Sequence, residues 1–544
     1  MTILKLDLNE RSETPPNWAT KALAELPLDS LWRYQDRQML EHQIASLFHL
    51  PPEQVLLTNG GDEAIQTLFA SLPPKTAVIL PKPIFGFYLT QAAIWPVNAL
   101  KIPAQPGFTI DIPAVERTIR EHPGALCILT RPNNPTGEVI DRQAVLDLLA
   151  ASTSNGGSLL LDEAYAAFFN DPMVDLLASH PNLIILRTFS KACGLAGLRL
   201  GYLLGAPDSL QPLRERILPF NIAAPSLFIG QRAIGSEAQT DIRNYADAVA
   251  ANRDRILAVL RDWHIETTPS QANFIFLRLG EKRANFVRLA LEKLGFAVRH
   301  FRRAALAGCL RIAIPAESRA LESALALVLR PQLLCLDVDG TLIDTRKSFD
   351  AMVVELVTET TGRVPTCEEI HAVRARGGFN DDFALAAELT RAFGKASDYK
   401  TMAEKGSALY FGEAGRPGLC RLEAPLYKSG LIRGLAAKCH LALVTGRSQT
   451  ELAVATDLLE RLEHAPAITI DDVTAGKPDP EGIRLAASRT HSHRVWMIGD
   501  NPDDMVAARE AGALAIGIGP HGSMLKSAGA VMVLEDINDL EVLL

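Results

Sequence analysis

The sequence predicts an α/β protein built from two consecutive series of buried strands and helices. Three observations predict this fold class. Short, almost wholly apolar runs alternate with longer helical stretches between about residues 55 and 205. The same alternation restarts at residue 333. The chain of 544 residues also exceeds what one hydrophobic core supports, so two to four domains are expected. Continuous apolar runs joined by helices are typical of parallel sheets.

The bulk composition excludes several functional classes. Apolar residues make up 48% and charged residues 22% of the chain, as in ordinary globular proteins. A net charge of −8 gives no support for nucleic-acid binding. No apolar run reaches membrane-spanning length, and "MTILKLDLNE" lacks a signal-peptide pattern, so we expect no membrane partner. The seven scattered cysteines, without CxxC spacing, predict reduced thiols, a cytoplasmic location and no structural zinc.

The first series contains four convincing parallel strands, namely "TAVILP", "ALCILT", "SLLLDEAY" and "LIILRTFS". A long helix over 242–263 follows them. A small α+β unit then has "ANFIFLRL" and "CLRIAIP" as its predicted strands. The pattern therefore predicts a large α/β domain followed by a smaller α+β domain.

The second series has its strands at "LLCLDVD", "LALVTG", "AITI", "VWMIGD" and "ALAIGIG". No strand-like run is convincing between 346 and 438, so this insertion is predicted to be mostly helical. The join near Pro331 has no Gly/Ser linker, which predicts a tight junction rather than a tether.

Lys191 is the most informative residue of the first series. It follows an apolar strand in "RTFSKACGLAGLRLGY", with Ser190 before it and Arg199 eight residues later. A single lysine is by default a surface residue. Other pieces upstream argue against that interpretation. "NGGDEAI" can open a helix whose first N–H groups bind phosphate, "RPNNPTG" forms a turn-rich loop, and Asp162 ends a very apolar strand where an unpaired carboxylate is costly.

Together these pieces resemble fold-type I aminotransferases dependent on pyridoxal phosphate, and most of all the histidinol-phosphate aminotransferases. "LDLNERSE", "LWRY", "PSQANFIF" and "GCLRIAIP" extend the resemblance over about residues 5–330. The resemblance implies a large domain of about 35–235 and a small domain of about 236–330 that includes the N-terminal arm. It also implies a homodimer with shared active sites.

The resemblance implies roles that the chemistry explains. Lys191 would form the Schiff base and shuttle the proton, and Asp162 would keep the pyridine nitrogen protonated. Further cofactor contacts are implied at the ring for Tyr88, Asn134 and Tyr165, and at the phosphate for Gly61, Asp62, Glu63, Ser190, Arg199 and, from the partner subunit, Tyr34.

The substrate contacts rest on the same resemblance. Arg311 would bind the substrate anion, and Asn9 is a further contact. Either Arg299 or Arg302 would supply a second cation, although Arg302 and Arg303 are equally interpretable as solvated surface charges. Cys193 is expected to pack rather than react. The expected amino-group acceptor is a compound such as 2-oxoglutarate. Threonine-phosphate decarboxylases share most of these motifs, so the substrate is left open.

The second series opens with "LDVDGT", in which Asp337 and Asp339 follow an apolar strand. Later strands end in Thr445 and in "MIGDNPDD", and "AGKPDP" presents Lys477 between them. Acidic loops are often merely solvated. Here they recur after strands at regular positions, which favours a site at the carboxyl edge of a sheet.

This set resembles phosphatases of the haloacid dehalogenase (HAD) superfamily with a helical cap, giving a core of 331–345 and 439–544 and a cap of about 346–438. The resemblance implies Asp337 as nucleophile, Asp339 as acid and base, and Thr445 and Lys477 as phosphoryl ligands. Mg²⁺ would lie between Asp337, the Asp339 carbonyl and Asp500. Asp504 would support Lys477 or the metal. The cap run 376–383 is either a specificity loop or a helix–helix turn.

Three hypotheses follow for the whole chain. The first is a bifunctional enzyme of histidine biosynthesis, with transamination followed by hydrolysis of histidinol phosphate. The second has both modules acting on another phosphorylated amine or keto compound, or a decarboxylase in the first module. The third makes one module a non-catalytic scaffold, and the complete motif sets argue against it.

Overall fold

A computed structural model describes residues 3–374, 376, 379, 381–459, 462 and 465–544, with the side chain of His371 left out. The chain divides into two compact units. The first comprises Met1–Glu281 and Phe296–Ala320, and the second Lys282–Gly295 and Leu321–Leu544. None of the helices in the described part of the chain combines the length and apolar character needed to span a bilayer.

The first unit contains a seven-stranded sheet. Its strands, in chain order, are β2 (Val55–Thr58), β3 (Ala77–Pro81), β4 (Asn98–Ile102), β5 (Leu126–Thr130), β6 (Ser158–Asp162), β7 (Leu183–Thr188) and β8 (Gly201–Gly205). The spatial order is β2-β8-β7-β6-β5-β3-β4, and only β8 runs antiparallel to its neighbours among these strands. The four strands that the sequence predicts here are confirmed.

Both faces of this sheet are buried. Alternate residues of β2 and β3 enter different apolar clusters: Leu57 and Ile79 belong to one, Leu56 and Val78 to the other. A strand buried on both sides has no polar alternation, which explains the continuous apolar runs. The helices of this unit are α1 (Asn17–Ala24), α2 (Gln38–Phe48), α3 (Gly60–Ser71), α4 (Gly86–Ile94), α5 (Ile112–Glu121), α6 (Arg142–Ser154), α7 (Pro207–Arg214), α8 (Ala224–Ala233) and α9 (Ser236–Asp262).

A five-stranded sheet completes the first unit. Its members are β1 (Leu4–Leu6), β9 (Glu266–Thr267), β10 (Phe274–Arg278), β11 (Phe296–His300) and β12 (Cys309–Ala313), in the spatial order β1-β11-β12-β10-β9. Strand β1 pairs with β11 in parallel, from Leu4 opposite Phe296 to Leu6 opposite Val298. This pairing fixes where residues 7–9 of the N-terminal arm leave the sheet.

The second unit contains a six-stranded parallel sheet in the order β19-β18-β13-β20-β21-β22. Its strands are β13 (Leu333–Leu336), β18 (His440–Val444), β19 (Ala467–Ile468), β20 (Val495–Gly499), β21 (Leu514–Ile518) and β22 (Met532–Leu534). The helices around it are α16 (Leu431–Ala436), α17 (Gln449–Val454), α18 (Glu481–Arg489), α19 (Pro502–Ala511) and α20 (Gly522–Ala528). All five strands predicted from the sequence are present, and β22 is an additional one.

The insertion between β13 and β18 is mostly helical, as predicted. It contains α12 (Phe349–Thr361), α13 (Cys367–Arg374), α14 (Asp382–Ala392) and α15 (Tyr399–Phe411) around an apolar cluster of its own. Four two-residue strands accompany them: β14 (Ile343–Asp344), β15 (Gly412–Glu413), β16 (Arg416–Pro417) and β17 (Ala424–Pro425). Strands β14 and β17 pair antiparallel, so the chain enters and leaves the insertion side by side.

Two helices within the range predicted for the small domain belong, apart from their first residues, to the second unit. They are α10 (Glu281–Lys293) and α11 (Arg319–Leu329). Phe286 of α10 lies edge-on against Trp496 of β20, with ring centroids 5.0 Å apart. The Trp496 indole donates to the Leu327 carbonyl at 2.8 Å. The domain limits read from the sequence stay a prediction.

Candidate active sites

Lys191 lies just beyond β7 and faces the N-terminal arm. Its Nζ donates to the Leu8 carbonyl at 3.0 Å and lies 5.7 Å from the centroid of the Tyr165 ring. The Tyr165 hydroxyl accepts from Asn9 Nδ2 at 3.0 Å and from Asn134 Nδ2 at 3.4 Å. The first unit therefore brings the predicted Schiff-base lysine, both asparagines and this tyrosine into one cluster.

Arg311 of β12 extends the cluster. Its guanidinium donates to Asn134 Oδ1 at 2.6 Å and to the Asp7 carbonyl at 2.7 Å, and burial lowers its pKa. Arg299 lies opposite it in the register of β11 and β12, but its side chain is exposed. Arg302 is also exposed. The choice between these two arginines stays open.

Asp162 ends β6 and is buried, with 7% of its surface exposed. Burial raises the pKa of its carboxyl group to about 6. Two hydrogen bonds partly offset this rise in pKa. They come from the Ala164 N–H and from the Tyr88 hydroxyl, which donates to Asp162 Oδ2 at 2.9 Å. The sequence predicted Tyr88 to stack on a cofactor ring, and the structure shows this additional bond. A carboxylate in this setting suits a cationic ring nitrogen.

The predicted phosphate cradle lies at the start of α3, as the sequence indicates. Arg199 Nη2 pairs with Asp62 at 2.7 Å, and Gly60, next to Gly61, has φ +75°. A Cβ atom on Gly60 would lie 2.6 Å from Arg199 Nη2, and the positive φ is strained for residues with a side chain, so both features favour glycine there. Ser190 is buried close by, and its Oγ accepts from Thr188 Oγ1 at 2.9 Å.

Three further residues singled out in the sequence, Glu63, Tyr34 and Cys193, make contacts of other kinds. The Glu63 carboxylate accepts from the Asn59 N–H at 2.5 Å and from Asn221 at 2.6 Å, so it braces the loop before α3. Tyr34 is 82% exposed and stacks on Phe220, with ring centroids 4.5 Å apart. Cys193 is half-buried and burial raises its pKa to about 12, in keeping with a packing role.

The residues of this site fit pyridoxal phosphate. The buried carboxylate at Asp162 suits a protonated ring nitrogen, and the helix start with Arg199 suits a phosphate. Two buried polar atoms, Asn9 Oδ1 and Arg311 Nε, have no hydrogen-bond partner among the described residues. Buried polar atoms are normally satisfied, so this is where a polar ligand would fit.

The second unit gathers its acidic residues at the carboxyl ends of β13 and β20. Lys477 Nζ lies 2.6 Å from Asp337 Oδ1 and 2.5 Å from Asp504 Oδ1. Burial alone would lower the pKa of Lys477, but these two carboxylates outweigh it and raise the pKa. The lysine therefore stays charged beside the predicted nucleophile. Asp504 also accepts from the Asn501 N–H, which anchors it at the start of α19.

Asp337, Asp500 and Asp504 each offer an oxygen within 4.8 Å of the others. Burial raises the pKa of Asp337 well above its usual range, and raises that of Asp500 to about 7. The resemblance proposed Asp337, the Asp339 carbonyl and Asp500 as the metal ligands; the cluster of side chains here contains Asp504 as well. Crowded carboxylates with hard oxygen atoms fit Mg²⁺, which would offset their repulsion.

The local backbone holds these groups together. Gly340 has φ +68°, and a Cβ atom there would lie 2.0 Å from Asp500 Oδ2, so glycine is required after Asp339. Thr445 is buried at the end of β18, and its Oγ1 accepts from the Arg447 N–H at 3.1 Å. Asp337, Asp339 and Asp500 line a cavity of about 1190 Å³ that α12–α14 also line.

Comparison with known proteins gives a family match for each of two parts of the chain. Residues 2–326 match the sequence family "Aminotransferase class I and II". The chain belongs to the class I and II aminotransferases. Residues 331–512 match the haloacid dehalogenase-like hydrolases, so this aminotransferase carries a HAD-type hydrolase domain after its own family match. The protein is an enzyme with both catalytic domains, and pyridoxal phosphate and Mg²⁺ are their cofactors.

Curated relatives of this aminotransferase include proteins named histidinol-phosphate aminotransferase. The protein of Roseiflexus castenholzii is 33% identical over 323 residues, covering 57% of this chain and 85% of the relative. That of Carboxydothermus hydrogenoformans is 31% identical over 326 residues, covering 58% of this chain and 90% of the relative.

A solved histidinol-phosphate aminotransferase from Sinorhizobium meliloti, in complex with pyridoxal-5'-phosphate, shares the fold. It is 23% identical with a TM-score of 0.53, and the match covers 60% of this chain and 89% of that one. A putative histidinol-phosphate aminotransferase from Erwinia carotovora has a TM-score of 0.54 at 22% identity, covering 59% and 94%. These structures confirm the predicted fold class of the first series.

Sequence reasoning missed several residues around both sites. Asn273 donates to the Asn9 carbonyl at 3.0 Å and so holds the N-terminal arm. In the second unit Arg447, Glu423 and Tyr410 form a buried group beside Asp339. Arg447 was visible in "LALVTGR", but no local pattern marks its partners. Of the cap run 376–383, residues 377, 378 and 380 lie outside the described residues.

Proposed function

We propose that the enzyme exchanges the amino group of histidinol phosphate with 2-oxoglutarate and also hydrolyses the phosphate ester of histidinol phosphate. In the biosynthetic direction, transamination would yield histidinol phosphate and hydrolysis would then release histidinol. The observation that carries the proposal is the presence of an aminotransferase domain and a HAD-type hydrolase domain in one chain whose aminotransferase relatives are named for histidinol phosphate.

The residues of the first unit support the transamination. Bound pyridoxal phosphate supplies an electron sink for the substrate carbon. Lys191 would accept and return the proton at Nζ, next to the Leu8 carbonyl that now holds it. Asp162 would hold the ring nitrogen, and Arg311, whose Nε has no hydrogen-bond partner among the described residues, would bind the substrate anion.

The residues of the second unit support ester hydrolysis. Asp337 would attack phosphorus and Asp339 would protonate the leaving alcohol, then take a proton from water in the second step. Lys477, fixed between Asp337 and Asp504, would bind a phosphoryl oxygen together with Thr445. Mg²⁺ held by Asp337 and Asp500 supplies charge neutralisation during the transfer.

The proposal includes a homodimer in the cytoplasm. An exposed apolar group around Tyr34 supports a second copy of the chain there, because large exposed apolar patches commonly mark protein interfaces. Tyr34 at 82% exposure stacks on Phe220 at 56%, and Trp32 at 67% and Leu218 at 72% are exposed two residues away from them in the sequence. Sharing of the cofactor phosphate by Tyr34 of a partner subunit belongs to the same proposal.

One incubation tests the proposed reactions. The purified holoenzyme is mixed with histidinol phosphate, 2-oxoglutarate and Mg²⁺, and glutamate and free phosphate are measured over time. We expect both products, and glutamate alone when Mg²⁺ is chelated. Neither product from histidinol phosphate, with activity on another phosphorylated amine, would instead favour the second hypothesis drawn from the sequence.

A further inference from the structure

Arg447 stands beside the predicted acid and base of the second unit. It follows Thr445 by two residues, and its side chain is 1% exposed. Its Nε donates to Asp339 Oδ1 at 2.8 Å and its Nη2 donates to the same oxygen at 2.6 Å. Neither bond uses Asp339 Oδ2. The arginine therefore fixes one oxygen of this carboxylate and leaves the other for a substrate.

Arg447 is itself held by the insertion. Its Nη1 and Nη2 donate to both oxygens of Glu423, at 3.2 and 3.0 Å, and the Glu423 side chain is 1% exposed. Nη1 also donates to the Tyr410 hydroxyl at 3.1 Å and to the Glu451 carbonyl at 3.3 Å. The bonds to Glu423 are strong and directional, because donor and acceptor are both charged and both side chains are buried.

The residues around Arg447 come from both segments that connect the insertion to the core. Ser348, just before α12, donates to Glu423 Oε1 at 2.9 Å, and Glu423 itself precedes the returning strand β17. Phe349, the first residue of α12, stacks on Tyr410 with ring centroids 4.4 Å apart and lies 5.2 Å from the Arg447 guanidinium. The entering segment, the last helix and the returning segment of the insertion therefore all meet at this arginine.

We propose that Arg447 is a positioning residue that orients Asp339 for proton transfer and ties that orientation to the base of the cap. This inference rests on the proposed phosphatase function. By holding Oδ1 with two N–H groups, Arg447 presents Oδ2 to the leaving-group oxygen. By bonding Glu423 and Tyr410, it makes the placement of Asp339 depend on the two segments through which the cap joins the core.

The two halves of the hydrolysis show which proton transfers depend on the position of Asp339. In the first half, the Asp337 oxygen–phosphorus bond forms, the ester P–O bond breaks, and the proton on Asp339 Oδ2 passes to the leaving oxygen. In the second half, water gives its proton to Asp339 and its oxygen to phosphorus, and the Asp337–phosphorus bond breaks. An alkoxide needs this proton to leave, whereas a dinitrophenolate leaves without it. General acid catalysis typically contributes about 10²–10⁴-fold.

The first test compares two leaving groups. Release of the alcohol in a single turnover is measured for histidinol phosphate and for 2,4-dinitrophenyl phosphate, in the wild-type enzyme, Arg447→Lys and Glu423→Gln. We expect Arg447→Lys to slow release from the alkyl ester at least about tenfold more than release from the aryl ester. Glu423→Gln should do the same to a smaller extent. Arg489→Lys, a surface control paired with Asp472, should leave the ratio unchanged.

The outcomes distinguish a failure of the inference about Arg447 from a failure of the proposed phosphatase function. An equal loss for both esters would mean a general structural role for Arg447 and would overturn the inference. Failure of the wild-type enzyme to release either product would overturn the proposed phosphatase function instead. Because Arg447→Lys risks leaving the buried Glu423 charge poorly paired, the double variant Arg447→Met/Glu423→Gln removes both charges and is measured in parallel.

A double-mutant cycle measured with the alkyl ester alone tests whether Arg447 acts through Asp339. If Arg447 acts through Asp339, Arg447→Lys should cost the wild-type enzyme at least about tenfold and should cost Asp339→Asn little, because the group it positions is already disabled. Equal costs in the two backgrounds would contradict the proposal.

Discussion

The Tyr88 hydroxyl donates a hydrogen bond to Asp162 Oδ2 at 2.9 Å, and both side chains are buried. The carboxylate expected to hold the cofactor ring nitrogen is thus already oriented by a protein group. Burial raises the pKa of Asp162 to about 6, and raises that of Tyr88 well above its usual value. The ionised form of Asp162, which a pyridinium requires, therefore predominates only above about pH 6.

Cofactor binding should depend on pH through Asp162. Below about pH 6 the carboxyl group becomes neutral and no longer attracts a protonated ring nitrogen, so affinity for pyridoxal phosphate should fall there. Titration of the apoenzyme with pyridoxal phosphate between pH 5 and 8, followed by absorbance, measures this. Asp162→Asn is the control, since it should bind weakly and lack this part of the pH dependence. The same pH profile in both proteins would contradict the assignment.

Tyr88→Phe should move that profile to higher pH. The substitution keeps the aromatic ring but removes a hydrogen bond that lowers the pKa of Asp162, so the pKa of the carboxyl group should rise further. The midpoint of the binding profile should shift upward by up to about one to two pH units, since a hydrogen bond to a charged group is worth about 1.5–3 kcal/mol and one pKa unit corresponds to about 1.4 kcal/mol. An unchanged midpoint would show that the hydroxyl does not act on Asp162.

Phosphate release should require a divalent cation held by Asp500. Chelation should abolish phosphate release and leave glutamate formation intact, because the acidic cluster lies in the second unit. Asp500→Asn should raise the Mg²⁺ concentration for half-maximal activity at least about tenfold. Asp479→Asn, an exposed residue near Lys477, is the matched control and should change little. Full phosphate release in the presence of excess chelator would contradict a metal-dependent site.

Trp496 should contribute strongly to the stability of the second unit. Its side chain is fully buried, and Trp496→Ala would remove both the contact with Phe286 and the bond to the Leu327 carbonyl. The expected loss is about 3–5 kcal/mol. Urea unfolding followed through phosphate-releasing activity measures it, with Leu422→Ala, at 52% exposure, as the control. A loss no larger than that of the control would show that α10 and α11 add little to this core.

Much of the fold could be predicted from the sequence, because the apolar runs and motifs that indicate it are each contiguous in the chain. Runs such as "LIILRT" reveal a strand buried on both faces, and Asp162 stands out because a carboxylate ends such a run. The glycine and acidic residues of "DVDGT" are likewise contiguous, so this motif is recognisable without knowledge of the fold.

Contacts between residues that are far apart in the chain leave no such local pattern in the sequence. Arg447 contacts Asp339, 108 residues away, and Glu423, 24 residues away, and neither separation matches a helix or strand period. The packing of α10 and α11 against Trp496 is equally invisible, since an amphipathic helix does not specify which sheet it covers. The antiparallel direction of β8 also depends on a connection rather than on composition.

We expect the two active sites of this chain to work independently of each other, and two variants test this independence. Glutamate and phosphate are measured from histidinol phosphate with 2-oxoglutarate and Mg²⁺ for Lys191→Ala and for Asp337→Asn. Lys191→Ala should lose glutamate formation and keep phosphate release, and Asp337→Asn should lose phosphate release and keep glutamate formation. Loss of both products in either variant, with the fold intact by circular dichroism, would contradict independent sites.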